Sequence, residues 1–219
     1  MEVILYIQQE ILIISKHKDF FMRTFIAVDL SDKIRTKIKE LQKQFTNLEI
    51  DPRRLKLKFV NPWQAHQTVK FLGEVPEANV SEIKRALSGI NRKAFEIALQ
   101  DVGFFPKASP EKVRTIRVVW VGMAKGVEEL MALQDDVDSR LIDLGFPREK
   151  KFSAHVTICR VKLFSRAVSH AELTPILDKI ANLRDVELGT MPVAELKLKK
   201  STLTPKGPIY EDVYVKQLG

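Results

Sequence analysis

The chain has 219 residues, a formal net charge of +8 and a pI of about 9.5, with 45% of residues hydrophobic and 29% charged. That balance supplies a core for one large domain or two joined lobes and excludes a disordered or low-complexity chain. Its one cysteine, Cys159, excludes an intrachain disulfide, fits a reducing cytoplasmic compartment, and reads as a packed small residue rather than a nucleophile.

Residues 1–21 begin apolar, but Gln8, Gln9, Glu10 and then Lys16-His17-Lys18-Asp19 interrupt the run. It is too short for a membrane span and lacks the basic start of a signal peptide. It reads as an appendage, and the second methionine, Met22, opens a domain expected to cover 22–219. Thr24 to Leu30 is a β-branched, apolar strand. Ser31 then offers an N-cap for an amphipathic helix over 32–46, with Ile34, Ile38, Leu41 and Phe45 inward. Arg54 to Val60 alternates charged and apolar residues, as a one-sided strand does, and Asn61-Pro62 ends it.

A strand is predicted over 65–72, a helix over 79–91 and a strand over 95–102. Pro106 to Pro110 is a loop, and the lobes divide near 103–112. A strand at 115–121, a long helix at 126–144 closed by Gly145, and a strand at 152–162 follow. A helix near 171–183 and strands near 185–190, 193–203 and 209–216 finish the chain. The predicted class is α+β: two pseudo-symmetric lobes, each an antiparallel sheet with outer helices, related so that one strand from each half lines a central cleft.

Those two strands carry matched triplets, His66-Gln67-Thr68 and His155-Val156-Thr157. Strand residues i and i+2 share a face, so each triplet sets an imidazole beside a hydroxyl. Two imidazoles supply a general base and a general acid, and threonine hydroxyls donate to phosphate oxygens. The chemistry that suits them is attack of water, or of a ribose hydroxyl, on a phosphorus held between the rings. Zinc needs three or four N, S or carboxylate ligands, and neither triplet belongs to an HxH, HExxH or CxxC pattern, so no metal and no cofactor are expected. His17 and His170 lack this context and receive no role. The basic charge suits a polyanionic partner.

The blocks MRTFIAVDLS, HQTVKFLGEV, HVTICRVK and STLTPKGPIYE resemble the two-histidine phosphoesterase superfamily, and within it the RNA 2′,3′-cyclic phosphodiesterases, also called the 2′-5′ RNA ligase family. The resemblance covers the chain from Met22 onward. It implies hydrolysis of a 2′,3′-cyclic phosphate at an RNA 3′ end to a 2′-phosphomonoester, without metal. His66 would protonate the leaving ribose oxygen, His155 would activate water, and Thr68 and Thr157 would hold the non-bridging oxygens. The family's aromatic after the first motif and arginine after the second are Phe71 and Arg160 here, for base stacking and phosphate binding. Strict alternation puts both on the wrong face unless each strand bulges first. The family's usual apolar spacer is replaced by Gln67, which points away from the cleft.

Two other readings stand beside this one: 2′-5′ ligation as the main activity, and an RNA-end-binding protein without turnover. The partner would be RNA with a cyclic end, with no membrane association and a monomeric state. Arg54, Lys56 and Lys58, Arg148, Lys150 and Lys151, and Lys197, Lys199 and Lys200 are candidates to line its path.

Overall fold

The computed structural model describes residues 21–164, 168–205 and 207–219; His17 and the rest of the expected appendage before Phe21 lie outside them. The alternating and β-branched segments become strands β1 (Phe21–Asp29), β2 (Leu55–Phe59), β3 (His66–Pro76), β4 (Phe95–Phe105), β5 (Val118–Lys125), β6 (Val156–Leu163), β7 (Glu187–Val193), β8 (Glu195–Thr204) and β9 (Gly207–Gln217). The amphipathic segments become helices α1 (Asp32–Lys43), α2 (Val80–Ser88), α3 (Val127–Leu141) and α4 (His170–Asn182). Ser31 caps α1 by accepting the N–H of Ile34, and Ser169 and Glu172 close a reciprocal capping box on α4. Gly145 ends the α3 segment at φ +87°, a conformation that costs glycine little. No helix among the described residues is long and apolar enough to cross a membrane.

The strands form one antiparallel sheet in the order β7-β4-β5-β6-β3-β1-β8-β9, with β2 also paired to β6. Two lobes are evident, β3-β1-β8-β9 and β7-β4-β5-β6-β2. They do not divide near 103–112, because β8 and β9 return from the end of the chain to pair with β1, while β2 leaves the first half to pair with β6. The sheet is continuous between the lobes through a single pair, Gln67 with Val156, which are the spacers of the two HxT motifs.

Helices interlock the lobes. On its back face the sheet meets α1 against β6 and β7, α4 against β4, α3 against β3, and α2 against β9. Of the side chains expected inward from helical spacing, Ile34, Ile38 and Leu41 on α1 and Leu130, Leu133, Val137 and Leu141 on α3 are buried, while Val127 and Leu144, expected inward as well, are half-buried. Full burial of each contributes about 1.5–3 kcal/mol. Helix α1 therefore covers the lobe that contains His155, and α3 covers the lobe that contains His66.

Candidate active site

Antiparallel pairing through Gln67 and Val156 puts His66 across from Thr157 and Thr68 across from His155. The spacers face the core, where both are fully buried, so the two histidines and two threonines share the opposite face and are half-buried there. Diagonal neighbours across such a pair lie about 7–8 Å apart. The two imidazoles thus stand as diagonal neighbours on one face of the sheet.

Each imidazole is held the same way. The Nδ1 of His66 bonds the carbonyl of Gln64 at 2.8 Å, and the Nδ1 of His155 bonds the carbonyl of Ser153 at 2.8 Å. A carbonyl only accepts, so each Nδ1 carries the proton and Nε2 is the atom left for chemistry. Desolvation by burial holds both histidines below the ordinary imidazole pKa, and the positive charge of Arg160 pushes both in the same direction. The Gln64 and Ser153 carbonyls oppose that shift. Asp29, the cross-strand partner of His66 on β1, also opposes it, and only for His66.

Two bulges settle the faces of Phe71 and Arg160. Against β1, Thr68 pairs with Ala27 and Lys70 with Ile26, so Val69 is an extra residue and the alternation flips after it. Phe71 then returns to the cleft face, 64% exposed, while Lys70 turns into the core. Against β5, Thr157 pairs with Trp120 and Cys159 with Val119, so Ile158 is the extra residue and Arg160 returns to the cleft face.

Each bulge is anchored by a buried polar group. Lys70 donates to Asp138 of α3 at 2.5 Å and to the Pro147 carbonyl at 2.6 Å, and Asp138 also accepts the Glu149 N–H. Gln42 of α1 donates to the carbonyls of Ile158 and Val60, both at 2.8 Å. Cys159 is buried beside this second bulge, where desolvation pushes its thiol up to about 12; it is a packing residue.

Sheet curvature brings in side chains that sequence spacing did not point to. In a flat sheet β9 would lie about 14 Å from β3, three strand spacings away. Yet the Tyr210 ring centroid on β9 is 5.3 Å from His66 and 5.0 Å from Phe25, which itself lies 4.8 Å from His66. Phe71 completes this aromatic group, 6.3 Å from Phe25. On the other side, Phe105 and Trp120 sit 5.0 and 6.5 Å from His155. The indole can lie there because residue 103 is glycine: a Cβ at Gly103 would fall 2.3 Å from the ring of Trp120.

Of the basic residues nominated for an RNA path, several are already engaged. Arg54 is held by Glu172 at 2.6 Å, and Arg148 lies 3.7 Å from Asp135. Lys197 and Lys199 form a network with Asp29 and Asp212 beside His66. His170 is engaged elsewhere, bonded to the Pro110 carbonyl at 2.8 Å.

The model of the LigT-like phosphoesterases matches residues 28–115 and 121–210, one copy over each HxT motif. The chain belongs to that family. An RNA 2′,3′-cyclic phosphodiesterase of Archaeoglobus fulgidus is 39% identical over 195 residues, 89% of this chain and 99% of the relative. One from Methanothermobacter thermautotrophicus is 35% identical over 199 residues, 90% and 99% of the two chains. Among solved structures, a Thermus thermophilus protein superposes with a TM-score of 0.68 at 25% identity, covering 90% of this chain and 98% of that one. Escherichia coli LigT complexed with 3′-AMP shares the fold, with a TM-score of 0.68 at 21% identity and the same coverage.

Proposed function

We propose that this protein hydrolyses the 2′,3′-cyclic phosphate at an RNA 3′ end and leaves a 2′-phosphomonoester. The observation that carries the reading is the Gln67–Val156 pairing, which sets two identically anchored imidazoles and two threonine hydroxyls on one face. The family membership and the named activity of relatives at 35–39% identity support it.

In this reading neutral His155 takes a proton from water at Nε2 as the water oxygen attacks phosphorus. The P–O3′ bond breaks in line, and His66 Nε2–H protonates the departing O3′. Atoms balance as one water added, one 3′-hydroxyl formed and one phosphomonoester left on O2′. Thr68, Thr157 and Arg160 hold the non-bridging oxygens, and Arg160 neutralises the charge that builds there. Phe71 stacks on the terminal base, beside Phe25 and Tyr210. Asp29 favours a protonated His66, which fits the acid role; among the described residues His155 has no such acidic partner. One chain supplies every one of these groups, so a monomer suffices, and an RNA substrate with a lone reduced cysteine fits the cytoplasm.

The test is a short RNA with a 2′,3′-cyclic end, assayed in EDTA. The expected product is the 2′-phosphate, with His66→Ala and His155→Ala each lowering kcat by about 10²–10⁴-fold in folded protein. No product, product lost to chelation, or near-wild-type rates in either variant would overturn the reading.

A further inference from the structure

The cleft face of β6 does not end at Arg160. Lys162 follows at i+2, and on β2 Lys58 pairs with Arg160 and Lys56 with Lys162. Partners in an antiparallel pair project to the same side, so four exposed cations form two like-charged cross-strand pairs on the face that carries His155 and Thr157. None of the four forms an ion pair among the described residues, in contrast to Arg54 at the start of β2, which Glu172 engages. Lys162 instead lies 4.8 Å above the ring of Phe164, which is 49% exposed.

Like charges directly opposite each other destabilise a strand pair. Here two of them, Lys56 and Lys58, sit on a strand of only five residues. Lysines on an edge strand can serve to discourage aggregation, but Arg160 and Lys162 belong to β6, an interior strand flanked by β5 and β2. Edge protection therefore leaves half of the cluster unexplained. A polyanion lying across the face accounts for all four.

We propose that this cluster is a track for single-stranded RNA upstream of the cyclic end, so that the substrate is a polynucleotide rather than a cyclic mononucleotide. Arg160 lies next to the site, since its charge reaches both histidines. Lys58, Lys162 and Lys56 then carry the preceding phosphates outward. Residues i and i+2 of a strand are about 6.7 Å apart, close to the step between successive phosphates of an extended strand. Phe164, at the far end, offers a ring face to an upstream base.

This inference rests on the hydrolytic reading above, and the experiment separates the two. Hydrolysis of an RNA hexamer with a 2′,3′-cyclic end is compared with that of the cyclic mononucleotide of the same base, in wild type and in Lys56→Gln/Lys58→Gln/Lys162→Gln. The hexamer-to-mononucleotide ratio of kcat/KM is expected to fall about tenfold in the triple variant at low salt. In wild type, log kcat/KM for the hexamer should fall with log salt at a slope about 2 units steeper than for the mononucleotide, three phosphates being neutralised. The melting temperature should hold or rise, as like-charge repulsion is removed. An unchanged ratio, or equal salt slopes for the two substrates, would overturn the track. If neither substrate turns over, the hydrolytic reading fails. The track is then decided by fluorescence anisotropy with a 3′-phosphorylated hexamer, where the triple variant must bind about tenfold more weakly for the proposal to stand.

Discussion

The side-chain oxygen of Gln67 accepts the backbone N–H of His155 at 2.7 Å, so the spacer of one HxT motif holds the histidine of the other. Its amide nitrogen donates to the Thr68 carbonyl at 2.6 Å, and the residue is fully buried. The one residue that departs from an apolar spacer is thus a strap across the junction of the two lobes.

Replacing Gln67 with leucine keeps the volume and removes the strap. The part-buried N–H of His155 is left without its acceptor, a loss of about 1 kcal/mol or more. Because a small displacement of an imidazole is costly to the reaction, kcat should drop about tenfold or more with KM little changed. Steady-state kinetics beside a urea melt checks this; a variant that loses stability yet keeps kcat would show that the strap serves folding alone.

The pH profile follows from the two depressed imidazoles. The reaction needs His155 neutral and His66 protonated, so kcat/KM is bell-shaped and reports the free enzyme. Burial lowers both pKa values from 6.5, and the optimum is therefore expected on the acid side of 6.5. Arg160→Gln removes a cation that disfavours both imidazolium ions, so both limbs should move to higher pH. Asp29→Asn removes a charge that favours only the His66 imidazolium, so the alkaline limb alone should move lower. A rate–pH series on the three proteins checks the signs.

The Lys70–Asp138 pair is almost fully buried, at 2% side-chain exposure for each partner. Lys70→Met leaves the Asp138 carboxylate in the core without its cation, and should destabilise the protein by about 3–5 kcal/mol. Adding Asp138→Leu should recover part of that loss, as breaking a buried pair costs more than replacing it. Urea unfolding of the single and double variants measures both effects.

Gly103→Ala tests the seat of Trp120. The added methyl would overlap the indole, with its nearest ring atoms at 2.3 Å, so the ring must shift. Overpacking of this kind costs about 1–3 kcal/mol. The displaced ring also disturbs the wall beside His155. Activity and tryptophan fluorescence should change together, where a purely structural seat would alter the fluorescence and the melting temperature but leave activity unchanged.

Much of this protein is legible in its sequence because its signals are local. Period-two alternation gave the strands and put His66 with Thr68 and His155 with Thr157 on common faces. Helical spacing gave the buried stripes of α1 and α3, and Ser31 and Gly145 marked ends through bonds made within a few residues. Family likeness pointed to Phe71 and Arg160, although alternation alone placed both on the wrong side.

Tertiary structure decided the rest, since it depends on what lies beside each strand. The extra residues Val69 and Ile158 are bulges only in relation to β1 and β5, so the faces of Phe71 and Arg160 follow from pairing and not from the strand's own period. The lobes mix the halves of the chain because β2 and β8 find partners far away in sequence. Tyr210 meets His66 through sheet curvature, which accumulates over several strands and leaves no mark in any one of them. Lys162 joins Lys56 and Lys58 for the same reason: their register across β2 and β6 is set by long-range pairing. Gln67 reads as a polar residue on a back face until the second motif arrives beside it, where its amide meets a backbone N–H 88 residues later in the chain.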